Sequence, residues 1–344
     1  MASPVIRYPG AKWRFYPYMV EYFPLDMETF IEPFLGGGSV TLSVADDPRF
    51  KNLSRMIAGD LAPEMWAFWT GVRDNPEGVI EIATRWFNEN CPTHRTMYEN
   101  NVSRANLAKY LGDKAVRIEE DESLLPEQKS ILQDKMKIYL QGMEEAERFW
   151  KWSQRVATSG MTIEERAART LLVNKISFSG MGDSGSLSRD QFCDFRIHKL
   201  DEVREASKLL KRVEIYNVSF EETMKFAHEK PDKTFIFLDP PYFKQESSGL
   251  YGRNGDTHRG FPHEKFGEVT KSMPCKWFVT YDDSTFVRHM FNGNTADGKK
   301  IYLTPFTIPG GYMMAMNSSE DALAGEELFI SNYPLSSDEE ELDF

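Results

Sequence analysis

Thr234-Phe235-Ile236-Phe237-Leu238-Asp239-Pro240-Pro241-Tyr242-Phe243 is the stretch that decides how this chain is read. A β-branched residue and four apolar ones run straight into a carboxylate, two prolines and an aromatic ring. That is the pattern of a buried strand stopped abruptly at its carboxyl end. Consecutive prolines remove two N–H donors and fix φ twice, so the Asp239 carboxylate and the adjoining carbonyls form a rigid, acceptor-rich turn. Such a turn suits a ligand that donates. The exocyclic amine of a nucleobase offers two N–H groups, and the Tyr242 ring offers a flat face to the base.

Asp239-Pro240-Pro241-Tyr242 after an apolar strand resembles the catalytic motif of amino-methyltransferases acting on N6 of adenine or N4 of cytosine. A second stretch, Thr29-Phe30-Ile31-Glu32-Pro33-Phe34-Leu35-Gly36-Gly37-Gly38-Ser39-Val40, reads as a strand, a glycine loop and a helix start. In that layout the backbone comes close to a ligand at the carboxyl edge of a parallel sheet. The spacing lacks the third glycine of a dinucleotide fingerprint and the Gly-Lys-Ser/Thr of a P-loop, which argues against a pyrophosphate ligand. A loop of this kind suits S-adenosylmethionine, with carboxylates accepting from its ammonium and ribose hydroxyls. Asp60, at the end of a second strand from Arg55, stands where a ribose-binding acid or a helix N-cap would.

Composition bounds the class. At 344 residues, 41% hydrophobic and 13% aromatic, the chain has material for a large α/β core with an insertion. No apolar run reaches bilayer length and the N-terminus lacks a signal-peptide h-region. Cys91, Cys193 and Cys275 are isolated, with no metal-binding spacing, so a reducing cytoplasmic setting is expected and no metal. The net charge of −12 includes five acids in the tail, at Asp338, Glu339, Glu340, Glu341 and Asp343, and the body keeps −7. Contacts to a phosphate backbone must therefore come from local clusters of Lys and Arg.

The arm Tyr8-Pro9-Gly10-Ala11-Lys12, the Phe30 to Val40 segment and Asp239 to Tyr242 stand in the order of the Dam-type (D12 class) DNA adenine methyltransferases, which the chain resembles. The likeness covers residues 5 to 70 well and about 168 to 333 more loosely. It implies a Rossmann-like α/β methyltransferase core from 1–70 and 168–335, in which a mostly parallel sheet has a reversed strand near its end. It further implies a helical target-recognition insertion over 71–167, an adjoining DNA-contacting hairpin at 174–190 and an acidic tail over 336–344.

By the same resemblance, Asp239, Pro240, Pro241 and Tyr242 are catalytic. Tyr8, Lys12, Glu32, Pro33, Phe34, Gly36, Gly38, Ser39, Asp60 and Asp239 are expected around S-adenosylmethionine. Arg7, Lys12, Lys175, Phe178, Ser179, Arg253 and Arg259 are expected on DNA, with Phe178 as an aromatic wedge. Asp239 would accept from the amine together with the Pro240 carbonyl, and Tyr242 would stack on the extruded base. Gly182 and Asp183 stand where the family carries a base-reading arginine, so a GATC target does not follow. Cytosine N4 is the nearest alternative, and a silent scaffold for protein partners is the alternative from another class.

Within the insertion, Leu132, Met136, Leu140, Met143 and Trp150 predict the buried stripe of a helix, with Lys135, Glu144, Glu145 and Arg148 outward. Thr162 to Glu165 is a capping box opening another helix. Helix 200–210, strand 213–216 and a capped helix at Ser219 lead into the Thr234 strand. Gly310-Gly311 predicts a hairpin before a last strand at 326–333.

Overall fold

The computed structural model describes residues 4–112, 115–243, 260–307 and 326–335. The chain divides into two compact units. The first comprises residues 1–2, 10–66 and 209–344, and the second residues 3–9 and 67–208. The segment 168–208, expected with the core, thus belongs to the second unit.

The first unit is built on a seven-stranded sheet with strands β1 (Thr29–Glu32), β2 (Arg55–Gly59), β3 (Val213–Tyr216), β4 (Thr234–Leu238), β5 (Lys276–Asp282), β6 (Tyr302–Thr307) and β7 (Glu326–Ser331). Their order is β3-β2-β1-β4-β5-β7-β6. The first five run parallel, and β7 and β6 are antiparallel additions. Central β4 is buried along its whole length, which explains its unbroken apolar run, because helices cover both faces of a parallel sheet. Edge strand β3 instead alternates buried and half-buried residues. Pro305 sits in edge strand β6, where a missing N–H costs no ladder bond on the open side.

Gly59 ends β2 against the short helix Phe220–Met224. A Cβ added there would stand 2.2 Å from Thr223 Oγ1, so the helix closes on the strand only over glycine. The predicted cap at Ser219 is present: its side chain accepts from the Glu222 N–H at 3.4 Å.

The second unit is helical, with helices Pro76–Asn90, Thr93–Glu99, Pro126–Arg155 and Ile163–Ile176 as its main elements. Both bonds of the Thr162–Glu165 capping box are made. The long helix Pro126–Arg155 is turned from the expected face. Its buried stripe is Tyr139, Met143, Ala146 and Phe149, whereas Leu140 is 52% exposed. Glu145, expected outside, is buried and accepts from the backbone N–H and hydroxyl of Thr93 at 2.9 and 2.6 Å. The acid faces inward because it satisfies an orphan donor at the start of the next helix, a pairing that periodicity does not reveal.

Segment 174–190 is not a β-hairpin. Helix Ile163–Ile176 continues into it, two 3-10 turns follow, and one isolated bridge joins Ser177 to Leu187. Asp183 accepts from Arg169 at 2.6 and 3.1 Å, and Arg169 also donates twice to the Ser153 carbonyl. The acid that departs from the family pattern thus neutralises a buried guanidinium and pins the turn.

Candidate active site

The strand order reverses between β1 and β4, and at such a switch point the crevice beyond the carboxyl ends receives the ligand. Three acids stand there on neighbouring strands: Glu32 ends β1, Asp60 follows β2 and Asp239 follows β4.

Asp239 is tethered on one oxygen. Its Oδ1 accepts from the Thr280 hydroxyl at 2.8 Å and lies 2.9 Å from Lys12 Nζ. Among the described residues Oδ2 accepts no hydrogen bond. Lys12 is 1% exposed, its Nζ donates to the Gly10 carbonyl at 3.0 Å, and Glu327 lies 3.9 Å away on the other side. Burial works against the ammonium, yet Asp239 and Glu327 outweigh it and hold its pKa above the ordinary lysine value. Burial pushes the Asp239 carboxyl above the usual range while Lys12 pulls it back.

This overturns the expectation that Lys12 reaches DNA phosphates. A side chain enclosed with carboxylates cannot do so, because its charge is already neutralised inside the protein. Its backbone N–H donates to Ser39 Oγ at 2.9 Å, which ties the arm to the first residue of helix Ser39–Asp46.

The glycine loop bends as anticipated at two points, Gly36 with φ 45° and Gly38 with φ 67°, the left-handed region that favours glycine. The Asp60 carboxylate accepts from the Gly36 N–H and the Ala62 N–H, both at 2.8 Å. Burial pushes the Asp60 pKa up to about 6. Two N–H donors leave room on a carboxylate for further donors. Asn217, unmarked in the sequence reading, donates to the Asp60 carbonyl at 2.8 Å and steadies that strand end.

Glu32 is buried, 3% exposed. Its Oε2 accepts from the Thr41 N–H at 2.8 Å and from the Thr41 hydroxyl, so it caps helix Ser39–Asp46 from below. Burial raises its pKa to about 8. Pro33 is buried beside it, and Phe34 stacks on Phe220 with centroids 5.7 Å apart.

Tyr242 is 9% exposed. Its ring lies against Tyr281, centroids 5.9 Å apart, and 4.9 Å from Lys12 Nζ. The open face expected for a base is therefore covered here by core packing. Pro240 is buried and Pro241 half-buried. The turn is held beyond the motif by Asp282, whose Oδ1 accepts from the Phe243 N–H at 2.7 Å.

Two of the residues expected on DNA, Arg7 and Lys175, are paired within the second unit. Arg7 donates to the Lys175 and Asn174 carbonyls at 2.8 and 3.3 Å and to Gln191. Gly180 accommodates it, since a Cβ there would meet the Arg7 carbonyl at 2.6 Å. Lys175 pairs with Glu202 at 3.0 Å. Phe178 is half-buried on a 3-10 turn, whereas Ser179 beside it is exposed with φ 50°. Tyr8 is half-buried. Arg253 and Arg259 lie outside the described residues, as do the Gly310-Gly311 hairpin and the acidic tail.

Sequence reading missed Thr280, Asp282 and Glu327. Glu327 carried a faint signal, an acid at the head of the apolar run Leu328-Phe329-Ile330. Thr280 carried none, because a threonine in a strand is ordinary.

A strand-end carboxylate locked into a Pro-Pro turn at the switch point of a doubly wound sheet, facing a glycine loop, defines an α/β methyl-transfer enzyme. A family model for the D12 class N6 adenine-specific DNA methyltransferases matches residues 8–303, and the chain belongs to that family. It is also 22% identical over 339 residues to a Type II methyltransferase, M1.LlaDCHI of Lactococcus lactis subsp. cremoris, with 96% of this chain and 95% of that protein covered. Its reaction is methylation of adenine N6 in DNA, and the family assignment selects adenine over cytosine N4 and over a silent scaffold.

Proposed function

We propose that the methyl donor is S-adenosylmethionine, that Asp239 is the catalytic acceptor, and that the enzyme modifies adenine within a defined DNA sequence. Bound S-adenosylmethionine supplies an electrophilic methyl group. The donor set suits it: a glycine loop at positive φ gives close backbone approach, and Asp60 retains acceptor capacity for hydroxyl or ammonium donors.

The observation that carries the reading is the asymmetry of Asp239. Thr280 and Lys12 both engage Oδ1, so Oδ2 is left, in a fixed orientation, to accept from the target amine. An amine that donates one N–H to Oδ2 and the other to the Pro240 carbonyl has its nitrogen lone pair turned out of conjugation with the ring. Orientation of this kind is worth roughly 7 kcal/mol or more. Lys12 limits repulsion between Asp239 and Glu327 and favours the ionised, accepting form of Asp239 against the burial that raises its pKa. Stacking of the base on Tyr242 requires the packed ring to be uncovered on base entry.

Sequencing the DNA of cells that express the protein, with modified-base detection, tests the proposal. N6-methyladenine should appear in one sequence context and vanish with Asp239→Ala, while that purified variant still binds S-adenosylmethionine in calorimetry. Undiminished methylation by the variant would remove Asp239 from the mechanism.

A further inference from the structure

The three cations Arg148, Lys151 and Arg155 stand at intervals of three and four residues at the carboxyl end of the long helix Pro126–Arg155. That spacing aligns them on one face. With Trp152 and Val156 they line an open groove of about 530 Å³. From residue 148 to residue 163 the chain carries these three cations and no acid, inside a protein whose net charge is −12. Lys151 and Arg155 are exposed and make no ion pair among the described residues. Arg148 has only a distant partner, Glu144 at 3.9 Å, and is itself 68% exposed.

Cations in a last helical turn also complement the helix dipole, which explains one of them at modest gain. It does not explain a groove. The floor is apolar and fixed: Trp152 stacks on Phe149 with centroids 5.4 Å apart and meets Trp86 edge-on at 5.4 Å. The cations are thus held on a rigid face, with their charge directed to solvent. Seven residues of helix separate Arg148 from Arg155, about 10 Å of axis, which matches about three nucleotides of rise along one strand.

We infer that this groove is a DNA-backbone contact of the second unit, taking the phosphates of duplex DNA without reading sequence. It rests on the enzyme acting on DNA, and it supplies cations that Lys12, Arg7 and Lys175, all engaged inside the protein, do not offer. The contact should raise affinity for every duplex equally.

Binding of a mixed-sequence duplex oligonucleotide by the full chain, measured over a series of salt concentrations, provides the test. The double variant Lys151→Gln/Arg155→Gln should flatten the slope of log affinity against log salt by about 1.8, so that the gain in affinity from about 0.2 M to about 0.05 M salt shrinks roughly tenfold. The double variant Lys135→Gln/Lys137→Gln removes the same net charge from the same helix and should leave the slope unchanged. Circular dichroism checks that both remain folded, and methyl transfer at saturating DNA should be unaltered. An unchanged slope in the folded Lys151/Arg155 variant overturns the inference, as does an equal change in the control pair. Neither result touches the proposed roles of Asp239 and S-adenosylmethionine, which the methylation assay reads separately.

Discussion

Lys12 Nζ lies 2.9 Å from Asp239 Oδ1, and the lysine is almost wholly enclosed. This pair joins the N-terminal arm to the Pro-Pro turn across more than two hundred residues of sequence. Removing the cation strands two carboxylates, Asp239 and Glu327, in a poorly solvated space. Lys12→Met should therefore destabilise the protein by about 3–5 kcal/mol, read by denaturant unfolding. If enough folded protein survives for binding, the salt dependence of DNA affinity should match the parent, because Lys12 touches no phosphate.

In its proposed role at the methyl donor, Asp60 should make donor binding pH-dependent. Burial raises its pKa from the ordinary 3.8 to about 6, so below that pH the free protein holds it protonated, uncharged and a poorer acceptor for a hydroxyl or ammonium. Affinity for S-adenosylmethionine should be level near pH 8 and weaken as pH falls through about 6. Calorimetry across this range should show the fall in the parent. In Asp60→Asn affinity should be low and nearly flat with pH.

Glu32 links stability to pH in the same sense. Its folded pKa of about 8 exceeds the ordinary 4.5, so the native state holds a proton that the unfolded chain releases between these values. Stability from this group is full below about 4.5 and is lost as pH rises towards 8. Glu32→Gln preserves the acceptor for Thr41 in neutral form and should flatten this fall. Glu32→Ala should cost about 1 kcal/mol below about pH 4.5 through loss of the helix cap, and less as pH rises towards 8, where the parent itself loses this contribution. Denaturant midpoints of the three proteins at several pH values separate the cases.

Gly59→Ala places a methyl 2.2 Å from Thr223 Oγ1 and 3.0 Å from its Cγ2. Overpacking of this kind should cost about 1–3 kcal/mol in thermal or denaturant unfolding. Adding Thr223→Ala should recover much of the loss, since it removes the atoms that collide. A double variant as unstable as the sum of the singles would place the strain elsewhere.

The strands and loops that flank the site were legible in the sequence because their signals are local, whereas the switch point appears only in the strand order of the folded sheet. An apolar run that stops at Asp239-Pro240-Pro241, a glycine loop after a strand, and capping residues at Thr162 and Ser219 each restrict the backbone within a few residues. The partners of the side chains were not legible. Lys12 and Arg7 look like free cations in the sequence, yet one is enclosed with Asp239 and Glu327 and the other donates to carbonyls near Asn174. Glu145 looks like an outward acid and caps a distant helix instead. Charge in a sequence records only that a side chain can ionise. Whether it meets solvent, phosphate or an opposite charge depends on which remote segments fold against it, and for Lys12 those segments are strand β7 and the turn after β4. The sequence by itself determined the order of elements and the chemistry at the end of β4. The tertiary structure alone decided that Asp239 is tethered through one oxygen, because Lys12 and Thr280 converge on it from separate elements of the fold.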